Sequence, residues 1–140
     1  MFGRVISFII GCMLLITSKQ AISMELIAHK SIDSESISVS VARAIFSGRM
    51  KYWADGSPIR VIMLAKDSEE HIEFCKSILD IFPRQLQRSW DMIVFSGYGE
   101  GPLVAANKQE IISIVNRTKG AIGYIDEVSE DMGVQIVKIK

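Results

Sequence analysis

The sequence predicts an α/β domain, a small mixed sheet flanked by helices. Three observations predict it. Segments patterned as strands and helices follow one another in the order β-α-β-α-α-α-β-β. Val61-Ile62-Met63-Leu64 is a continuous apolar run, which suits a strand covered on both faces. Helical stripes of apolar residues follow polar residues able to cap them.

Glu25 to His29 reads as the first strand, ending at Lys30-Ser31. Ser31 to Ser38 is rich in acids and serines and reads as a loop. Ser38 or Ser40 can cap a helix whose apolar face is Val41, Ala42, Ile45 and Phe46, with Gly48 as its stop. Tyr52 to Pro58 is a turn cluster, because Asp55-Gly56 and Pro58 each favour a bend. Ile59 to Leu64 is the second strand. Asp67 is placed to cap the next helix, with Glu70 three residues on as in a capping box. Ile72, Cys75, Ile78 and Leu79 form its apolar stripe.

Pro83 fits the first turn of a further helix, where its missing N–H costs nothing. Leu86, Trp90, Ile93 and Val94 make its apolar face, and Ser96 to Pro102 is a flexible loop. Asn107 and Glu110 are a second capping-box pair, ahead of Ile111, Ile112, Ile114 and Val115. Gly120 to Ile125 and Val134 to Ile139 are the last two strands. No internal repeat, low-complexity segment or inter-domain linker interrupts this order.

The first 23 residues stand apart from the domain. Arg4 precedes an almost wholly apolar run from Val5 to Ile16, followed by polar Ser18-Lys19-Gln20 and then Ala21-Ile22-Ser23. That is the order of a secretory signal, with the cut expected after Ser23. The run is shorter than the ~20 residues a membrane-spanning helix needs. The alternative is a retained N-terminal anchor. Residues 24–140 then form one domain, with export to the periplasm as the expectation.

The expected mature part has 14 basic residues against 16 acidic ones, since Arg4 and Lys19 leave with the signal. This balance argues against a nucleic-acid partner, which calls for a basic excess. Cys75 is its one cysteine, so no internal disulfide can form. His29 and His71 are its only histidines, and no CxxC or HExxH spacing occurs, so neither a metal site nor a cofactor is expected. No catalytic triad can be picked out from spacing, and an enzyme is the least favoured class.

Four ordered segments carry a resemblance. Ile45-Phe46-Ser47-Gly48-Arg49 looks like an "IFxGK" helix end, and Tyr52-Trp53-Ala54-Asp55-Gly56-Ser57-Pro58-Ile59 like an "xWxDGxPI" turn. Phe95-Ser96-Gly97-Tyr98-Gly99 falls where "FxGxG" follows a Trp-containing helix, and Gly120-Ala121-Ile122-Gly123-Tyr124 matches "GAIGY". Over nearly all of residues 24–140 the chain resembles short relatives of the phosphate ABC transporter substrate-binding protein. The resemblance implies a type 2 periplasmic-binding-protein fold. Complete members close two lobes on an anion, and this chain has room for one.

The resemblance also implies where a ligand would sit. Full-length phosphate binders place a Ser-Gly-Thr segment at a helix N-terminus, with an arginine and an aspartate just before it. Unpaired N–H groups and the helix dipole favour an anion there. The corresponding segment here runs from Leu64 to Glu70, in which Lys66, Asp67 and Ser68 are the candidate ligand residues. Glu69 and Glu70 replace the glycine and threonine, and their charge opposes a dianion. Further candidates are Lys30 and Ser31 after the first strand, and Gly97 and Gly99 in the glycine loop. The plain alternatives are a well-capped helix start, a polar loop, and a helix stop.

The expected function is therefore an exported solute-binding-like protein taking phosphate or another small oxyanion for an ABC transporter or sensor in the membrane. The alternative is a ligand-free lobe that docks on an envelope protein. The missing second lobe makes a homodimer a further candidate.

Overall fold

A computed structural model describes residues 23–140. The expected signal and its apolar run lie outside the described residues. Among the described residues six strands form one mixed sheet in the order β2-β6-β1-β5-β3-β4. The strands are β1 (Met24–Ala28), β2 (Ser36–Ile37), β3 (Arg60–Leu64), β4 (Leu103–Ala105), β5 (Ala121–Asp126) and β6 (Gln135–Ile139). The helices are α1 (Val39–Phe46), α2 (Glu69–Phe74), α3 (Pro83–Phe95) and α4 (Lys108–Arg117). A mixed sheet with flanking helices is what the sequence predicts.

β1 runs antiparallel to both β5 and β6, whereas the β2–β6, β3–β5 and β3–β4 pairs are parallel. The C-terminal ends of β3, β4 and β5 therefore share one end of the sheet with Met24, the start of β1. Ala28, the end of β1, lies at the other end beside Ile122. Val61 to Leu64 are all buried, as their continuous apolar run requires.

Two strands escape the sequence reading. β2 has two residues inside the stretch read as a loop, and it is held from outside. Lys138 donates its N–H to the Glu35 carbonyl, and Lys140 does the same to Ile37. β4 has three residues directly after the glycine loop. A strand this short offers too little alternation to be recognised locally.

The helices keep most of their expected faces. Ser38 caps α1, its hydroxyl accepting from the Val41 N–H. Ala42, Ile45 and Phe46 are buried there. Leu86 and Trp90 are buried on α3, but Val94 is 47% exposed and leaves the predicted stripe. α2 departs most. It passes into one π-helical turn, Cys75–Leu79, which re-aims the side chains. His71, Phe74, Cys75 and Leu79 are buried, while Ile72 and Ile78 are only partly so.

The cap of α2 is also corrected. Ser68, not Asp67, is the N-cap, and its hydroxyl accepts from the His71 N–H at 3.2 Å. A turn closed by the Ser68 N–H on the Ala65 carbonyl delays the helix by one residue. Asp67 is left exposed, and Glu70 does not complete a capping box.

Two motif glycines prove to be packing devices. At Gly48 (φ 76°) a Cβ would meet the Ile93 side chain at 2.5 Å and the Trp90 ring at 3.0 Å. At Gly120 (φ 77°) a Cβ would meet the Pro58 carbonyl oxygen at 2.2 Å. Both also need the left-handed backbone that glycine adopts freely. Trp90 donates its indole N–H to the Phe46 carbonyl at 2.7 Å, and Trp53 donates to Gly120 at 3.0 Å. Trp53 thus pins the 52–58 turn to the start of β5.

Candidate functional site

Parallel strands in an open α/β sheet present a crevice beyond their carboxyl ends. Here a cavity of about 330 Å³ occupies that place and is lined by Leu64, Ser68, Glu70, Asn107, Lys108 and Asp126. β3 feeds α2 and β4 feeds α4, so both helices aim their N-termini at it. Each first turn leaves backbone N–H groups without partners in its own helix. The residues of those turns are Glu69 and Glu70 on α2, and Lys108 and Gln109 on α4.

The side chains work against that positive potential. Asn107 caps α4 by accepting from the Glu110 N–H at 2.9 Å. The Glu110 carboxylate reaches back to accept from the Ala106 N–H at 3.0 Å. The predicted pair, Asn107 and Glu110, is thus the one that caps α4, with the return bond falling on the Ala106 N–H, one residue before the cap. Lys108 is held by the Asp126 carboxylate at 3.2 Å and the Glu127 carbonyl at 3.0 Å. The crevice therefore offers amides, one hydroxyl and one engaged ammonium, opposed by Glu70 and Asp126.

Behind the crevice lies a buried polar cluster. The Tyr124 hydroxyl accepts from the Leu64 N–H at 2.9 Å and stands 2.5 Å from His71 Nδ1. His71 Nε2 lies 3.5 Å from Cys75 Sγ. The arrangement that gives every group a partner sends the Tyr124 hydroxyl proton to Nδ1 and assigns the imidazole proton to Nε2, toward the sulfur. Burial pushes the His71 pKa down, so its neutral form is favoured. Burial pushes the Tyr124 hydroxyl up, and the Cys75 thiol up to about 11. Cys75 is thus a buried thiol held protonated, as its place on an apolar stripe suggests. Tyr124 stacks on Phe74 with ring centroids 3.8 Å apart, and Phe46 meets Phe74 edge-on at 4.8 Å.

The seven candidate ligand residues are not brought together. Ser68 alone lines the crevice. Lys66 and Asp67 are exposed beside it and border a neighbouring groove of about 360 Å³ between α3 and β4. Lys30 and Ser31 lie at the opposite end of the sheet, near Asp33, Glu35 and Lys138. There the Ser31 N–H and hydroxyl both meet His29 Nδ1, at 3.0 and 2.7 Å. Gly97 (φ 75°) closes α3, its N–H donating to Val94 at 3.2 Å. Gly99 lines a cavity of about 600 Å³ near Tyr52, Arg60 and Tyr98, again away from Ser68.

Sequence reasoning missed Asn107, Lys108 and Asp126 as crevice residues. The signal for Asn107 was present, since its cap position marks a helix N-terminus. What was absent was β4, the strand that carries α4 to the same end as α2. Among the described residues, no group of three or more His, Cys, Asp or Glu side chains could hold a metal ion. No described helix is long and apolar enough to cross a membrane.

No family model matches the sequence, and no curated protein matches it. Solved structures do. The chain is similar to a Clostridium perfringens protein assigned as a phosphate ABC transporter substrate-binding protein and solved with bound phosphate. The TM-score is 0.65 at 21% identity, over 83% of this chain and 44% of that one. PstS of Borrelia burgdorferi matches with a TM-score of 0.65 at 16% identity, over 84% and 47%. A phosphate transport receptor of Vibrio cholerae matches with 0.64 at 14% identity, over 83% and 45%. The chain spans about half the length of the structures it matches, and at these identities the likeness establishes the fold. That fold is the one the four sequence segments imply.

Proposed function

We propose that the chain is an exported solute-binding-like protein, not an enzyme, whose crevice takes a small oxyanion for a membrane transporter or sensor. The observation that carries this reading is the convergence of the α2 and α4 N-termini, with Ser68 and Lys108, on one cavity at the strand ends. Helix N-termini supply N–H donors and a positive dipole end to an anion. The fold is shared with phosphate ABC transporter substrate-binding proteins, one of them with phosphate bound.

Phosphate is the first ligand to test, and its binding is weakened here. Glu70 and Asp126 place negative charge at the cavity, and Asp126 and Glu127 engage two of the three Lys108 N–H donors. A monoanion meets less repulsion than a dianion. Export rests on the N-terminal pattern, with cleavage after Ser23.

Calorimetric titration of the purified protein with phosphate, at low salt and with sulfate as control, tests the reading. Heat of binding that Ser68→Ala abolishes supports an oxyanion receptor. No heat with either anion rejects it. The reading left is a lobe kept for its surface, favoured by the exposed Val94, Phe95, Tyr98, Leu103 and Val104.

A further inference from the structure

The two edges of the sheet differ in kind. An edge strand exposes unpaired N–H and C=O groups, and proteins blunt such edges with charge, brevity or cover. The β2 edge is blunted. β2 has two residues, and Asp33, Glu35 and Lys138 surround it. The β4 edge is not. Its three residues carry no charge, and among the described residues β4 pairs with β3 alone. Leu103 and Val104 point to opposite sheet faces, yet they are 50% and 63% exposed. Both residues leave apolar surface open at this edge, while Ala105 beside them is buried.

The apolar surface continues onto the end of α3. A Cβ on Gly101 would lie 3.7 Å from the Val94 side chain, so the loop leading into β4 packs along that end of the helix. Val94, Phe95 and Tyr98 there are 47%, 88% and 76% exposed. On the inner side, Val104 and Trp90 share the groove between α3 and β4. Strand edge, helix end and loop thus form one apolar surface.

We propose that this surface is the contact between two copies of the chain, with β4 pairing antiparallel to β4 of the second copy about a two-fold axis at Val104. The unpaired backbone of β4 calls for another strand. A two-fold axis perpendicular to the sheet supplies that strand in the antiparallel sense and makes the patch its own complement. Val104 then faces its symmetry mate, and Leu103 faces Ala105 of the second copy.

Val94, Phe95, Tyr98, Leu103 and Val104 together expose on the order of 600 Å² per copy, somewhat less than the ~800 Å² per partner of a standard interface, so the dimer is a weak one. Pro102 confines strand pairing to three residues, so side-chain burial supplies most of the affinity. This contact adjoins the crevice, since Val104 shares a groove with Asp67, but it uses none of the crevice side chains and does not depend on an anion.

The test is the mass of the purified protein, expressed from its full sequence, by light scattering and sedimentation from about 1 to 100 µM without phosphate. The expected result is a dimer at the upper end of that range. Val104→Asp and Leu103→Lys, both at exposed positions, should each raise the dimer dissociation constant at least tenfold with unchanged circular dichroism. Phe82→Ser, at an exposed apolar residue outside the patch, should leave it unchanged. Amide exchange at Leu103 to Ala105 should slow with concentration in the parent chain only. A monomer at every concentration overturns the proposal, as does a dimer indifferent to both β4 variants. Rapid exchange of the β4 amides in the dimer overturns the strand pairing.

Discussion

The Tyr124 hydroxyl lies 2.5 Å from His71 Nδ1, joining the middle of β5 to the first turn of α2. The same hydroxyl accepts from the Leu64 N–H at the end of β3. One phenol therefore fixes both the strand and the helix that define the crevice wall. With His71 3% exposed and Tyr124 fully buried, water cannot replace either bond.

Tyr124→Phe keeps the ring stack on Phe74 but leaves the Leu64 N–H and His71 Nδ1 unpaired. Each orphaned buried group costs ~1–3 kcal/mol, so the total loss is expected at about 2–4 kcal/mol. Denaturant midpoints of parent and variant measure it. A loss under about 0.5 kcal/mol would mean that water reaches the cluster.

Stability should fall on both sides of neutral pH. Burial lowers the folded-state pKa of His71 below its ordinary 6.5, so the unfolded chain binds the extra proton first on acidification. The contribution of neutral His71 is present above pH 6.5 and is lost as pH falls toward the folded-state value. Cys75 acts in the opposite sense. Its thiol rises from 9.0 to about 11, so its contribution is complete below pH 9 and is lost between 9 and 11. Unfolding free energy measured from pH 4 to 11 checks both limbs. His71→Gln should flatten the acid limb and Cys75→Ala the alkaline limb up to pH 10, above which the raised Tyr124 hydroxyl adds a loss of the same sign.

Ser68 and Asp67 should separate cleanly. Ser68→Ala removes the α2 cap and is expected to cost ~1 kcal/mol. Asp67→Ala, at an exposed residue that caps nothing, should change stability by less than about 0.5 kcal/mol. Thermal unfolding of the two variants decides between them. Equal losses would return the cap to Asp67.

Replacing Glu69 and Glu70 together by Gly and Thr removes two carboxylates from the start of α2. Oxyanion affinity is expected to rise by about tenfold or more, the size of a ~1.4 kcal/mol change. Titration with phosphate measures it. No gain would show that the crevice lacks the anion geometry altogether.

Much of this molecule is legible locally. The continuous run Val61 to Leu64, the caps Ser38 and Asn107, and Pro83 at a helix start each act through neighbours within a few residues. Hydrophobic period and cap chemistry suffice to place β1, β3, β5, β6 and all four helices. The segments around Gly48 and Gly120 can also be read as motifs. Their physical reason, contact with Trp90 and with Pro58, appears only once distant elements are packed.

Tertiary structure decided the rest. β2 exists because β6 offers it backbone partners about a hundred residues away, and β4 because β3 does. Neither strand is long enough to declare itself by alternation. Through β4 the chain carries Asn107 and Lys108 to the crevice beside Ser68. The antiparallel sense of β1 sends Lys30 and Ser31 to the far end of the sheet. Strand direction is set by pairing across the sheet, and no residue type in the sequence encodes it alone. So the sequence by itself determined the fold class and every element but β2 and β4, while the pairing order decided which polar residues could share a site.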